Sequence, residues 1–158
     1  MKRPWWLLSA IAGCAAGLKL GTNAAKTKGE IQAAQNSNKY WQSYQMMDRW
    51  VQLKQEGKHL TSYFEKNGYN CIAIYGMSYS GITLLDELSG SAIKVKYGID
   101  ANADKIYADI PVYKLSDQLE PVDAVIVSPI YYFDEIERDV SQKMSCPIIP
   151  LDDVIFYS

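Results

Sequence analysis

Hydrophobic and polar positions change rhythm twice along the chain, and the three patterns predict different elements. An uncharged stretch runs from Pro4 to Leu18, behind Lys2 and Arg3. A polar, Ala/Lys/Gln/Asn-rich segment follows from Thr22 to Asn38, with Ile31 its one large aliphatic residue. At residues 39–56 Tyr40, Tyr44, Met47 and Val51 recur at helical spacing, with Met46, Trp50 and Leu53 widening the stripe. This predicts an amphipathic helix that docks on the domain and stops at Gly57.

Beyond Gly57 the pattern alternates between helix and strand. Thr61 or Ser62 can cap a short helix ended by Asn67-Gly68, and His59 falls in the polar connection before it. Apolar, β-branched runs predict strands at 70–75, 93–99, 111–113, 124–128 and 147–149. Between them lie predicted helices at 80–89 and 132–143, a helical turn at 116–120 and a closing turn at 151–156. Short strands with long crossovers imply a parallel sheet covered on both faces. Right-handed crossovers give the order 3-2-1-4-5. The expected fold is therefore α/β, a Rossmann-like parallel five-stranded sheet, with Ile72, Ile74, Val95, Ile99, Val125 and Val127 buried. The organisation expected is an N-terminal hydrophobic anchor at 1–25, a linker or exposed helical continuation at 26–38, and the Rossmann-like domain with its docking helix at 39–158.

Composition narrows the partners. A formal net charge of −2 gives no electrostatic case for nucleic acid. Three cysteines without a Cys-x-x-Cys pair, and one histidine, argue against a zinc site, so no metal is expected. Cys71 and Cys146 read as small buried hydrophobes in a reduced compartment. The Pro4–Leu18 stretch spans roughly 22 Å as helix, and continuing past Lys19 to Ala25 lengthens it towards a membrane span. A cleaved signal peptide, a lipoprotein site at Cys14 and a retained anchor all begin this way. The retained anchor is the expectation, with the domain in the cytoplasm, although basic residues on both flanks leave orientation open.

The chemistry concentrates at Gly76-Met77-Ser78-Tyr79-Ser80-Gly81, between the first strand and the first helix. A dinucleotide turn needs a glycine to leave the strand, a small residue where phosphate approaches, and a last glycine for close helix–strand packing. Gly76 and Gly81 meet the outer demands, and Ser78 takes the middle one with a hydroxyl. The helix start offers N–H groups to a diphosphate. Asp100, ending the second strand, is placed to accept hydrogen bonds from ribose, and Ser128 with Pro129 and Tyr131 borders the other side. NAD or a nucleoside-diphosphate sugar would suit such a site. Other readings of the turn fail on single residues. Isoleucine stands where a P-loop has its lysine, the nucleophile-elbow pattern lacks its last glycine, and His59 lies upstream of Ser78. Lys105 and Pro111 break a calcium loop starting at Asp100. No acid–base pair is apparent, so no catalytic residue is assigned. A glycine turn that serves packing alone remains the competing reading, with the domain then a scaffold that docks a partner.

Ile-Ala-Ile-Tyr-Gly-Met at 72–77, Tyr-Gly-Ile-Asp at 97–100, Ile-Pro-Val-Tyr at 110–113 and Asp-Ala-Val-Ile-Val at 123–127 form a recurring set. In these the chain resembles small Rossmann-like, nucleoside-diphosphate-sugar epimerase-like domains of bacterial capsule and surface-polysaccharide biosynthesis. The resemblance covers about residues 60–156. It implies a nucleotide or nucleotide-sugar ligand and a partner such as a glycosyltransferase or another polysaccharide enzyme. The Tyr-x-x-x-Lys pair of true epimerases is missing from this sequence.

Overall fold

The computed structural model describes residues 30–158 fully; of residues 6–29 it gives only the backbone course, as part of helix α1 (Trp6–Gln55). The anchor expected at 1–25 lies outside the fully described residues. Among the described residues no helix is long and apolar enough to cross a membrane. The chain divides into two compact units, residues 1–41 and 42–158. In the first, the expected linker at 26–38 is helical, the continuation rather than the loop. Its described side chains are polar or exposed, Ile31 included.

The second unit opens with the end of α1, where Met46, Trp50 and Leu53 are buried. Spaced by four and three residues, they form one stripe of a 3.6-residue helix. The neighbouring stripe does not dock: Tyr44, Met47 and Val51 are exposed, as is Tyr40 in the first unit. The docking helix is thus present, but its buried face is Met46, Trp50 and Leu53, which widen the expected stripe, and not Tyr40, Tyr44, Met47 and Val51 at its centre. Gly57 follows with φ of 71°, in the left-handed region that ends helices.

Helix α2 (Thr61–Asn67) ends at Gly68, φ 73°, as its Asn-Gly signal implies. Its N-cap is Leu60 rather than Thr61 or Ser62, and the Ser62 hydroxyl donates instead to the His59 carbonyl. His59 is exposed. Then come β1 (Cys71–Tyr75), α3 (Tyr79–Leu88), β2 (Lys94–Ile99), β3 (Val112–Tyr113), β4 (Ala124–Val127), α4 (Phe133–Ser141), β5 (Ile148–Pro150) and α5 (Leu151–Phe156). The helical turn expected at 116–120 is absent. The Asp117 carboxylate accepts from the Lys114 N–H at 2.8 Å, and the Asp117 N–H returns to the Lys114 carbonyl. This local side-chain turn satisfies the backbone without a helix.

The five strands form one sheet in the order β3-β2-β1-β4-β5, every pairing parallel. Ile72 stands opposite Ala124 and Ile74 opposite Ile126. Alternate side chains of the central strands enter two cores. Ile72, Ile74, Ala124 and Ile126 pack with Met46, Trp50 and Leu53 and with the apolar sides of α2, α3 and α5. Ala73, Tyr97, Ile99, Val125 and Val127 pack on the other face with Ile136 and Val140 of α4. Of the six expected core residues, Val95 alone is only partly buried. Cys71 and Cys146 are half-buried, and burial pushes the Cys146 thiol up from its ordinary range.

Candidate functional site

The order of strands reverses at β1, so the turns after β1 and β4 leave the sheet in opposite directions and open a crevice at their carboxyl ends. Gly76 makes the first turn with φ of 89°. A Cβ there would stand 2.6 Å from Pro129 Cδ and 2.8 Å from Ser128 Oγ. The position thus needs glycine both for its backbone and for lack of room. At Gly81, on the first turn of α3, a Cβ would stand 2.0 Å from the Gly76 carbonyl oxygen.

Ser128 is the one polar side chain classed with the buried core among the described residues. Its hydroxyl donates to the Gly76 carbonyl at 2.6 Å, and its N–H donates to the Tyr75 carbonyl at 2.9 Å. Asp100 braces the turn from the other side. Its Oδ2 accepts the Met77 N–H at 2.9 Å and its Oδ1 accepts the Asn102 N–H at 2.8 Å. The Met77 side chain is buried over Gly98 of β2, where a Cβ would stand 2.6 Å from Met77 Cγ.

Gly76, Met77, Asp100 and Ser128 therefore meet in one hydrogen-bonded cluster, with Gly81 packed against the Gly76 carbonyl. Ser78, Tyr79 and Ser80 stand at its outer edge. Ser78 is the N-cap of α3, extended at φ −92° and ψ −156°, and its hydroxyl makes no capping hydrogen bond. The helical ladder starts with the Ile82 N–H donating to the Ser78 carbonyl at 2.9 Å. The leading N–H groups of α3 thus have no side-chain cap and carry the positive end of the helix dipole. Ser78 and Tyr79 are exposed and Ser80 is half-buried.

This arrangement can hold an anion at Tyr79 to Gly81. The Met77 N–H, which the sequence pattern also offers to phosphate, is taken by Asp100. Each Asp100 oxygen has accepted one hydrogen bond and retains a lone pair for a hydroxyl. Tyr75, whose phenol is raised by desolvation and then by Asp139, Asp100 and Glu135, has no lysine at catalytic spacing. Among the described residues no group of three His, Cys, Asp or Glu side chains is disposed to hold a metal.

Two features are not visible in the residue pattern alone. Gly98 gives Met77 its bed, and its signal was a glycine inside a β-branched run. Asp152, beside Asp153 in the first turn of α5, has Oδ1 buried without a hydrogen-bond partner among the described residues. Its signal was an acidic pair directly after an apolar strand. Comparison with known protein families, with curated proteins and with solved structures gave no match to this chain.

Proposed function

We propose that the protein binds a nucleotide or nucleotide-sugar at the crevice and performs no chemistry on it. The observation that carries this reading is the uncapped start of α3, aimed out of the sheet where the strand order reverses. The diphosphate lies against the N–H groups of Tyr79, Ser80 and Gly81, with the hydroxyls of Ser78 and Ser80 beside it. The spare lone pairs of Asp100 take the ribose. The apolar Pro4–Leu18 stretch supports a tether that holds the domain at a membrane, on the cytoplasmic side where nucleotides are. Likeness to surface-polysaccharide domains makes it an accessory of that assembly, working beside a glycosyltransferase.

One observation favours a second reading, a scaffold without ligand. Each of Gly76, Gly81 and Gly98 is already required by packing, so the glycines alone do not call for a phosphate.

Thermal unfolding of the full chain with NAD, NADP, ATP and UDP- and GDP-sugars separates the two. A ligand with Kd of about 10 μM, present at 1 mM, stabilises by about 2.7 kcal/mol, a shift of several degrees. No shift with any of them, in a cooperatively folded sample, overturns binding in favour of the scaffold.

A further inference from the structure

A cavity of about 340 Å³ lies at the amino ends of β4 and β5, the end of the sheet away from the glycine turn. One wall is the segment that leads into β4, with Leu119, Pro121 and Val122. The other is the connection from α4 to β5, residues 143–146. Small-molecule pockets run from about 300 to 1,000 Å³, so this one suits a small ligand.

Its lining is aliphatic and sulfur-bearing. Leu119, Val122, Met144 and Cys146 are half-buried and pack on the core of Tyr97, Val125 and Val140. Burial raises the Cys146 thiol, which keeps it neutral and makes it one more apolar surface. No aromatic ring lines the cavity, so nothing there stacks on a planar ligand. Met144, unbranched and adaptable, matches a flexible chain instead.

The polar groups sit at the rim and share one sign. Lys143 is exposed and makes no ion pair among the described residues. Ser145 is exposed as well, and neither its N–H nor its hydroxyl is hydrogen-bonded among those residues. No Asp or Glu lines the cavity. Asp123, whose charge reaches Cys146, has its Oδ2 on the Asn70 and Cys71 N–H groups at 2.8 Å. One cation and free donors, with a carboxylate nearby, suit a single negative charge better than a phosphate dianion. We propose that this cavity binds a free aliphatic carboxylate, a medium-chain fatty acid, its chain along Leu119, Val122 and Met144 and its head on Lys143 and Ser145. The site is separate from the crevice at Gly76 and does not depend on a nucleotide there.

Calorimetry on the full chain compares hexanoate, octanoate, octanol and octylamine. Octanoate is expected to bind with Kd of about 1 mM or tighter. Affinity should rise about twofold to fourfold for each CH₂ added between hexanoate and octanoate. Octanoate should exceed octanol by about threefold, a preference that salt weakens and Lys143→Gln removes, and octylamine should bind least. Octanoate should also slow alkylation of Cys146 by iodoacetamide, read by peptide mapping, and leave Cys71 unchanged. Val122→Trp, which fills the cavity, should abolish binding. Lys143 is exposed, so Lys143→Gln and the labelling serve if Val122→Trp does not fold. Octanol or octylamine binding as well as octanoate would make this an apolar groove without a head-group site, and overturns the proposal. So does a preference that survives Lys143→Gln, a Cys146 that octanoate does not protect, or no binding of octanoate at all.

Discussion

Gly81 faces the Gly76 carbonyl so closely that a Cβ on it would stand 2.0 Å from that oxygen. The obstacle is backbone, and the oxygen is already held by the Ser128 hydroxyl, so the turn has little freedom to give way. Gly81→Ala is expected to destabilise by about 1–3 kcal/mol or more, as overpacking does. Denaturant titration checks it, and a loss below about 0.5 kcal/mol would show that α3 can shift away. Substitutions at Gly81 therefore report on folding before they report on a ligand.

Asp100 acts as a brace for the glycine turn, and this gives it a stability signature independent of any ligand. Asp100→Ala strips the acceptor from the Met77 and Asn102 N–H groups, costing about 1–3 kcal/mol for an orphaned donor at the partly buried end. Asp100→Asn, which keeps one amide oxygen, is expected to recover part of the loss. Equal stability of all three proteins in urea would rule out the brace.

At the end of α1 two apolar stripes compete. Met46, Trp50 and Leu53 are buried, while Tyr44, Met47 and Val51, rotated by about 100°, are exposed. Leu53→Ala is expected to cost about 2–5 kcal/mol and Val51→Ala less than about 0.5 kcal/mol. Comparable losses at the two positions would reverse the docking face. The sequence could not choose between these stripes, because both satisfy the helical period. Which one the sheet covers depends on tertiary packing.

The same contrast runs through the whole chain. The parallel sheet was legible because Cys71–Tyr75 and Ala124–Val127 are near-continuous apolar runs, which a doubly covered sheet accommodates, while Lys94–Ile99 carries two lysines in its less buried first half and is buried from Tyr97 on. The turn at 115–117 was not, because the Asp117 carboxylate competes with the helix by a local hydrogen bond. At the candidate site the positions of Gly76, Gly81, Asp100 and Ser128 were legible from spacing. That Asp100 spends one lone pair on Met77 was hidden, since it depends on the aim of a side chain. Asp152 was hidden for a similar reason: whether an acidic residue after a strand meets water or is withdrawn from it is decided by the elements packed around it.

Asp152 offers a test by pH. Burial, and next the charge of Asp153, push its carboxyl above the ordinary value of 3.8. Between that value and the raised one, the folded protein binds more protons than the unfolded chain. Stability from this group therefore falls as pH rises through the window, and the penalty stays constant above it. Asp152→Asn, uncharged at every pH, escapes the penalty. The variant is expected to melt above the wild type at pH 7, and the gap should narrow as the pH drops through the raised pKa and close below the unfolded one. Scanning calorimetry across this range reads the difference directly. A gap that is constant with pH would mean that the Asp152 carboxyl is solvated in the folded protein.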